Sequence, residues 1–342
     1  MQVLIGVDPH KGSHTAVAID RNEALLGQLK VRATRSQCVQ LLEWAEGFPE
    51  RRWAIESAGG LGYLLAQQLI AAGEHVVDVP PTLAARVRVL GSGKSQKNDP
   101  NDALSTAVAA LRHRRLHPVV ADDHAVILRM LADRHHDLTR LRTQAVCRLH
   151  VTLANLVPGG ISGALRVSRA TMMLASVRPI DGVVAERKRQ ARDLLTDVRR
   201  LDADIKATKA RIVVAVEASK TCLTEIHGVG PIVAALVIGH AGDVGRFASR
   251  HQFASYNGTA PIEASSGPKK RHRLNPRGNR QLNHAVHIAA VCQIRWDGPG
   301  RDYYLRKVEE GKTKKEAIRC LKRRVSDAVY RQLLLDARHA GM

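Results

Sequence analysis

Val3-Leu4-Ile5-Gly6-Val7-Asp8 is the first legible element of the chain, five largely apolar residues that end on a carboxylate. An unbroken apolar run of this length reads as a strand buried on both faces. Working outward, Thr15 to Asp20 and Ala24 to Val31 repeat the pattern with turn signals between them, so the three make a meander. A helix over Ser36 to Ala45 follows, then a strand over Arg52 to Glu56. A helix over Leu61 to Ala72, a strand over His75 to Val79 and a helix from Pro80-Pro81 through Leu90 complete the series.

Three strands, helix, strand, helix, strand, helix is the order of an RNase H-like domain, and it predicts an α/β N-terminal region. Its acids sit at telling places. Asp8 ends the first strand and Glu56 the fourth. Lys97-Asn98-Asp99-Pro100-Asn101-Asp102-Ala103 adds two more, just after Gly91-Ser92-Gly93-Lys94 and before an apolar helical run. Three residues apart, Asp99 and Asp102 share one face of a first helical turn. Such a pair also suits plain helix capping at a positive dipole end, and that alternative stays open. A sheet that gathers the strand ends beside this helix holds four acids around one point. Four clustered acids repel one another and need cations, and Mg²⁺ favours such oxygen ligands, usually shared with phosphate. His10 and Lys11 read as polar loop residues, His14 as a surface residue, and Ser57-Ala58-Gly59-Gly60 as a small-residue turn.

Composition narrows the partner. Fifty-three Lys and Arg against 32 Asp and Glu leave a net charge of +21 over 342 residues, which points to a polyanion such as nucleic acid. Aromatics are 3%, so phosphate and shape contacts outweigh base stacking. Five scattered cysteines without a C-x-x-C pair argue against a zinc site or a disulfide framework and fit a reducing cytosol. No apolar run approaches the ~18 residues of a membrane span, and the N-terminus lacks a basic-then-apolar signal. The expectation is a cytoplasmic protein with no membrane partner.

Leu128, Leu131, His135, Leu138, Arg142, Ala145, Leu149 and Leu156 mark one stripe of a long helix that Pro158-Gly159-Gly160 breaks. Ile161 to Asp181 is poorly patterned. Leu194, Val198, Leu201, Ile205, Thr208 and Ile212 then alternate steps of four and three, the seam of a coiled coil. An intramolecular helical hairpin has the same pattern. The favoured expectation is a homo-oligomer, dimer or tetramer, joined through this coiled coil.

The last third is mostly helical and strongly basic. Ile226-His227-Gly228-Val229-Gly230-Pro231 leads into an apolar helix, and free N–H groups at such a turn suit a phosphate. It resembles the hairpin of helix-hairpin-helix modules, with Gly228 and Gly230 as the candidate contacts. Phe247, Phe253 and Tyr256 read as core. A basic run follows with Lys269, Lys270, Arg271 and Arg273, then Arg277, Asn279 and Arg280 open a helix through His287. Residues 246–332 hold 20 Lys and Arg against 7 Asp and Glu, most of the excess charge of the chain. Phosphate contact accounts for that better than a solvated face alone. Ser265 and Ser266 read, from composition, as loop residues.

Taken together, these motifs resemble the insertion sequence 110 family of transposases, the bridge-RNA-guided recombinases, nearly end to end. Gly6-Val7-Asp8, Ala54-Ile55-Glu56-Ser57 and the Lys97 to Ala103 stretch are similar to its RuvC-like Asp-Glu-Asp-Asp domain. Ile226 to Pro231, Phe253 to Gly258, Pro261 to Gly267 and Arg277 to Arg280 are similar to its C-terminal transposase domain. The resemblance implies that Asp8, Glu56, Asp99 and Asp102 bind metal. It also implies a nucleophilic serine five residues after Pro261, which is Ser266, with Ser265 as the adjacent fallback. A non-coding RNA would pair with donor and target double-stranded DNA. The implied layout is a RuvC-like catalytic domain over 1–122, a helical or coiled-coil spacer over 123–220 and a transposase domain over 221–342. Mg²⁺-dependent strand exchange through a phosphoserine–DNA link is the expected activity. Two rivals remain, a RuvC-type Holliday-junction resolvase or metal nuclease that uses water, and a non-catalytic nucleic-acid-binding assembly protein.

Overall fold

The computed structural model describes residues 3–92, 99–113, 116–263 and 272–340. They divide into two compact units, residues 1–122 and 123–342, so the spacer helices share a unit with the C-terminal region.

The N-terminal unit follows the apolar runs closely. Strands β1 (Val3–Pro9), β2 (Ser13–Ile19) and β3 (Leu25–Arg32) form the meander, and α1 (Gln37–Ala45) leads to β4 (Arg51–Glu56). Then come α2 (Tyr63–Ala71), β5 (Val76–Val79), α3 (Pro81–Ser92), α4 (Asp99–Arg112) and a short β6 (His117–Pro118). The sheet order is β3-β2-β1-β4-β5-β6. β1 is antiparallel to β2 but parallel to β4, and β4 is parallel to β5. This is the RNase H-like order, extended by an edge strand that the sequence pattern did not reveal.

Strand parity sorts the side chains. Val3, Ile5, Val7, Trp53 and Ile55 face a core shared with α1 and α2. Leu4 and Ala54 face the other core, under α3 and α4. Gly6 lies on that second face, where a Cβ would stand 2.2 Å from the Ala103 carbonyl oxygen and 2.5 Å from the Ala107 nitrogen. The missing side chain lets α4 lie directly on β1. Asp8 and Glu56 have the parity of Leu4 and Ala54, so both end their strands on the α4 side.

His14 is buried rather than on the surface, because β2 is an interior strand. Its Nε2 meets Gln37 Oε1 at 3.0 Å, and Gln37 in turn donates to Gln68 at 2.7 Å.

The second unit is helical. α5 (His124–Ala154), α6 (Val167–Ser176) and α7 (Gly182–Ala218) precede α8 (Pro231–Ala241) and α9 (Arg250–Tyr256). The two-residue strands β7 (Ile262–Glu263) and β8 (His272–Arg273) pair antiparallel. α10 (Arg280–Arg295), α11 (Pro299–Glu309) and α12 (Lys314–Ala340) complete the chain. α8 is apolar on nearly every side because it is the central helix of this core, packed among α5, α7 and α10.

The seam expected to join copies of the chain is filled from within. α5 and α7 run antiparallel, and Val198 and Leu201 bury against Leu138 and Ala145. Arg142 of α5 pairs with Asp202 of α7 across the hairpin. The 3.5-residue repeat therefore describes an intramolecular hairpin, whose partner stripe on α5 the sequence also carried. α6 caps its tip, with Ala170 and Leu174 packed on Leu149, Leu153, Ala191 and Leu195. The poorly patterned stretch after Ile161 thus has a role, although α6 was not legible in it.

Candidate metal centre and nucleic-acid interface

The acids on the α4 side of the sheet come together. Asp8 and Glu56 close adjacent parallel strands one step past the Val7–Ile55 pairing. Asp99 and Asp102 both lie inside the first turn of α4. Asp8 and Asp102 are buried, while Glu56 and Asp99 are partly so. Burial raises the Glu56 pKa above the ordinary carboxylate range, and the Asp8 and Asp102 carboxylates push it in the same direction. The Arg88 guanidinium and a bond from the Thr106 hydroxyl oppose that rise.

Two basic side chains already lean on the cluster. Lys30 Nζ donates to Asp99 Oδ2 at 2.7 Å and holds its pKa down. Arg88 of α3 pairs with Asp102. His10 also joins, with Nδ1 3.5 Å from Asp8 Oδ2. One ligand atom each from Asp8, His10 and Asp99 lies within 4.8 Å of the others, a spacing that suits one metal ion. Glu56, outside that trio, couples electrostatically to both Asp8 and Asp102, so Asp8 belongs to both groups. The sequence reading missed His10, Lys30 and Arg88. Only His10 left a trace, two residues after Asp8 at the end of a strand.

The sharp turn after Glu56 is also built locally. Ser57 takes a positive φ of 52°, Gly60 N donates to Ser57 O at 2.7 Å, and Ala58 N donates to Asp78 Oδ1 at 2.7 Å. These bonds fix where β4 stops and hence where the Glu56 carboxylate stands.

In the helical unit, Ser265, Ser266, Lys269, Lys270 and Arg271 lie outside the described residues. The two ends of their segment are firmly held. Asn275 Nδ2 donates to Ser255 O at 2.9 Å, Asn279 N to Tyr256 O at 2.6 Å, and Asn283 Nδ2 to Asn257 O at 2.8 Å. Gly258 has φ +72°, and a Cβ on Gly278 would sit 2.5 Å from Gly258 Cα. The Tyr256-Asn257-Gly258 and Arg277-Gly278-Asn279 motifs thus clamp together at the base of the β7–β8 connection.

Individual candidates divide accordingly. The Asn279 side chain caps α10 by accepting from Leu282 N, a structural duty. Arg273, Arg277 and Arg280 are exposed. Gly228, at φ +83°, is needed for packing, since a Cβ would lie 2.6 Å from Ala289 O. Gly230 is the N-cap residue of α8 with Pro231 next, and a Cβ there would meet nothing within 4 Å. Among the described residues no helix is long and apolar enough to cross a membrane.

Known proteins match both units. Residues 5–158 match the DEDD transposase model of IS110 elements, and residues 220–305 match the transposase model of the IS116/IS110/IS902 family. The 44.8 kDa protein of insertion element IS116 from Streptomyces clavuligerus is 28% identical, covering 97% of this chain and 94% of the relative. The 43.6 kDa protein of IS110 from Streptomyces coelicolor is 38% identical over 30% of this chain and 26% of the relative. Among solved structures, Thermus thermophilus RuvC in complex with a Holliday junction substrate matches 35% of this chain and all of its own, at 16% identity and a TM-score of 0.28. The RNase H-like assignment stands on the strand order. With one family model on each unit and a relative aligned over nearly its whole length, the chain belongs to the IS110 family of transposases.

Proposed function

We propose that this transposase moves its insertion sequence by RNA-guided, Mg²⁺-dependent strand exchange through a covalent phosphoserine–DNA intermediate. The observation that supports it most is the meeting of Asp8, Glu56, Asp99 and Asp102 at one end of the sheet, beside His10. The donor set is rich in carboxylate oxygen and fits a hard divalent cation. Asp8, Asp99, Glu56 and Asp102 would hold it, with His10 as an added ligand. Bound there, Mg²⁺ supplies Lewis-acid polarisation of a DNA phosphate and charge stabilisation for the attacking and leaving oxygens.

The Ser266 hydroxyl attacks the phosphorus of a DNA phosphodiester. A serine–phosphate ester forms and the bond to the 3′ oxygen breaks. The serine proton leaves to solvent, and the departing 3′ oxygen takes one up as a hydroxyl. The ester keeps the bond energy, so rejoining needs no nucleotide triphosphate. Gly230 and the basic residues Lys269, Lys270, Arg271, Arg273, Arg277 and Arg280 contact backbone phosphates. Base pairing with a non-coding bridge RNA selects donor and target duplexes. The protein works in the cytoplasm as a homo-oligomer whose contacts lie outside the filled α5–α7 seam.

A denaturing gel of the protein with RNA transcribed from sequence flanking its gene, labelled junction DNA and Mg²⁺ tests this. The expected result is a labelled band at protein mass, lost with Ser266→Ala and kept with Ser265→Ala. Asp102→Ala should also lose it. Cleaved DNA with no such band in any lane would favour the water-using nuclease. Salt-dependent binding without cleavage would favour the assembly protein.

A further inference from the structure

The helical unit holds a cavity of about 720 Å³ between residues 258–261, residues 274–283 and helices α11 and α12. Its charge is one-sided. Among the described residues, Arg280, Arg319, Lys322, Arg323 and Arg324 line it against a single acid, Asp327. That acid is already engaged, 3.2 Å from Arg323. The Tyr303 ring already has cationic neighbours, with Arg324, Arg306 and Lys307 at 5.2, 5.3 and 5.5 Å from its centroid. Such a lining suits a compact anion rather than a base.

Lys322 sets the chemistry. It is partly buried, and Nζ donates to Asn283 Oδ1 at 2.7 Å. Among the described residues no carboxylate pairs with it. Burial lowers its pKa, and neighbouring Arg319 lowers it further. Asn283 is itself anchored to Asn257 O at 2.8 Å, and the buried Asn257 amide donates to Ser326 Oγ at 2.8 Å. The ammonium is thus aimed by a satisfied polar chain but lacks a counter-charge. Pro261 and Leu274 on the cavity wall adjoin the paired strands β7 and β8. The described residues that flank the segment carrying Ser266 therefore lie beside this cavity.

We propose that the cavity is a phosphodiester site that receives one backbone phosphate of a nucleic-acid strand. Lys322 is its inner cation, Arg280 and Arg319 are its outer cations, and Asn283 is the positioning residue. Choosing a strand phosphate over a free anion rests on the strand-exchange function proposed above, whereas the anion site itself does not.

The test is the rate at which an amine-acylating reagent labels Lys322 in the full-length protein, read by peptide mass mapping. Arms contain no ligand, saturating duplex DNA, RNA of the same sequence, or inorganic phosphate. At least tenfold slowing by DNA, by RNA or by both is expected, and the protecting arm identifies the strand. In parallel, Lys322→Gln should make the plot of log binding constant against log salt shallower by about 0.9, one phosphate contact. Lys322→Arg should restore it. Unprotected Lys322 under saturating polymer overturns the site. So does protection by inorganic phosphate alone, or protection with an unchanged salt slope. The labelling arm needs no variant and stands even where Lys322→Gln fails to fold. Protection by DNA in a protein that forms no covalent DNA link would sink the serine chemistry and leave this site intact.

Discussion

Glu56 closes β4 near two other carboxylates, Asp8 and Asp102, and its ionisation is disfavoured at the proposed metal centre. Its folded pKa is raised, first by burial and then by Asp8 and Asp102. The sign follows from linkage. A raised carboxyl adds stability below its unfolded pKa and loses that increment as pH rises through the folded value. The metal-free protein is therefore penalised as Glu56 ionises, and a bound cation relieves the penalty. Mn²⁺ affinity, measured by titration calorimetry, should climb with pH across the weakly acidic range, and Glu56→Gln should flatten the climb. Identical slopes would remove Glu56 from the site. Lys30 acts oppositely, since its ammonium holds Asp99 against an incoming cation. Exposed pairs of this kind are worth about 0.2–1 kcal/mol. Lys30→Ala should accordingly tighten Mn²⁺ binding by up to about fivefold, and weaker binding would refute the competition. Asp8 and Glu56 were legible because strand ends advertise themselves in an apolar pattern. Lys30 and Arg88 were not, because only tertiary approach tells which of 53 basic residues meets a carboxylate.

At the scale of elements, the β1–α4 contact decides whether the acids meet. Gly6 permits it, and Ala103 and Ala107 present the helix surface that fills the space. Gly6→Ala puts a methyl inside van der Waals contact with backbone atoms that cannot swing away. Overpacking of this kind costs about 1–3 kcal/mol. The variant should lower the melting temperature and weaken Mn²⁺ binding together, because α4 carries Asp99 and Asp102. A stability loss with unchanged metal affinity would show that the helix turn holds its place by other contacts. The alternation of β1 and β4 made this arrangement readable, as did the small residues of α4. The two-residue strands β6, β7 and β8 left no pattern because they are too short to show a period. α6 escaped for a different reason, since only Ala170 and Leu174 of its ten residues are buried.

At the scale of the molecule, a heptad stripe states that a helix has a partner and not whose helix it is. Here α5 carries a complementary stripe within the same chain, and the hairpin uses it. Val198 is fully buried on that seam. Val198→Asp places a charge without a partner there, at a cost of about 3 kcal/mol or more. The expected result is a lower melting temperature at unchanged native mass. Loss of an oligomer without loss of stability would return the seam to an intermolecular role. The two compact units also have separate cores, one around the sheet and one around α8. The proposed metal ligands all belong to the first, so stabilisation by a cation enters there. At a hundred times its dissociation constant a ligand adds about 2.7 kcal/mol to whatever unfolds with the site. Hydrogen exchange with and without Mn²⁺ should show slowed amides in β1, β4 and α4, with Asp8→Asn abolishing the effect. Equal slowing throughout residues 123–342 would place the cation elsewhere.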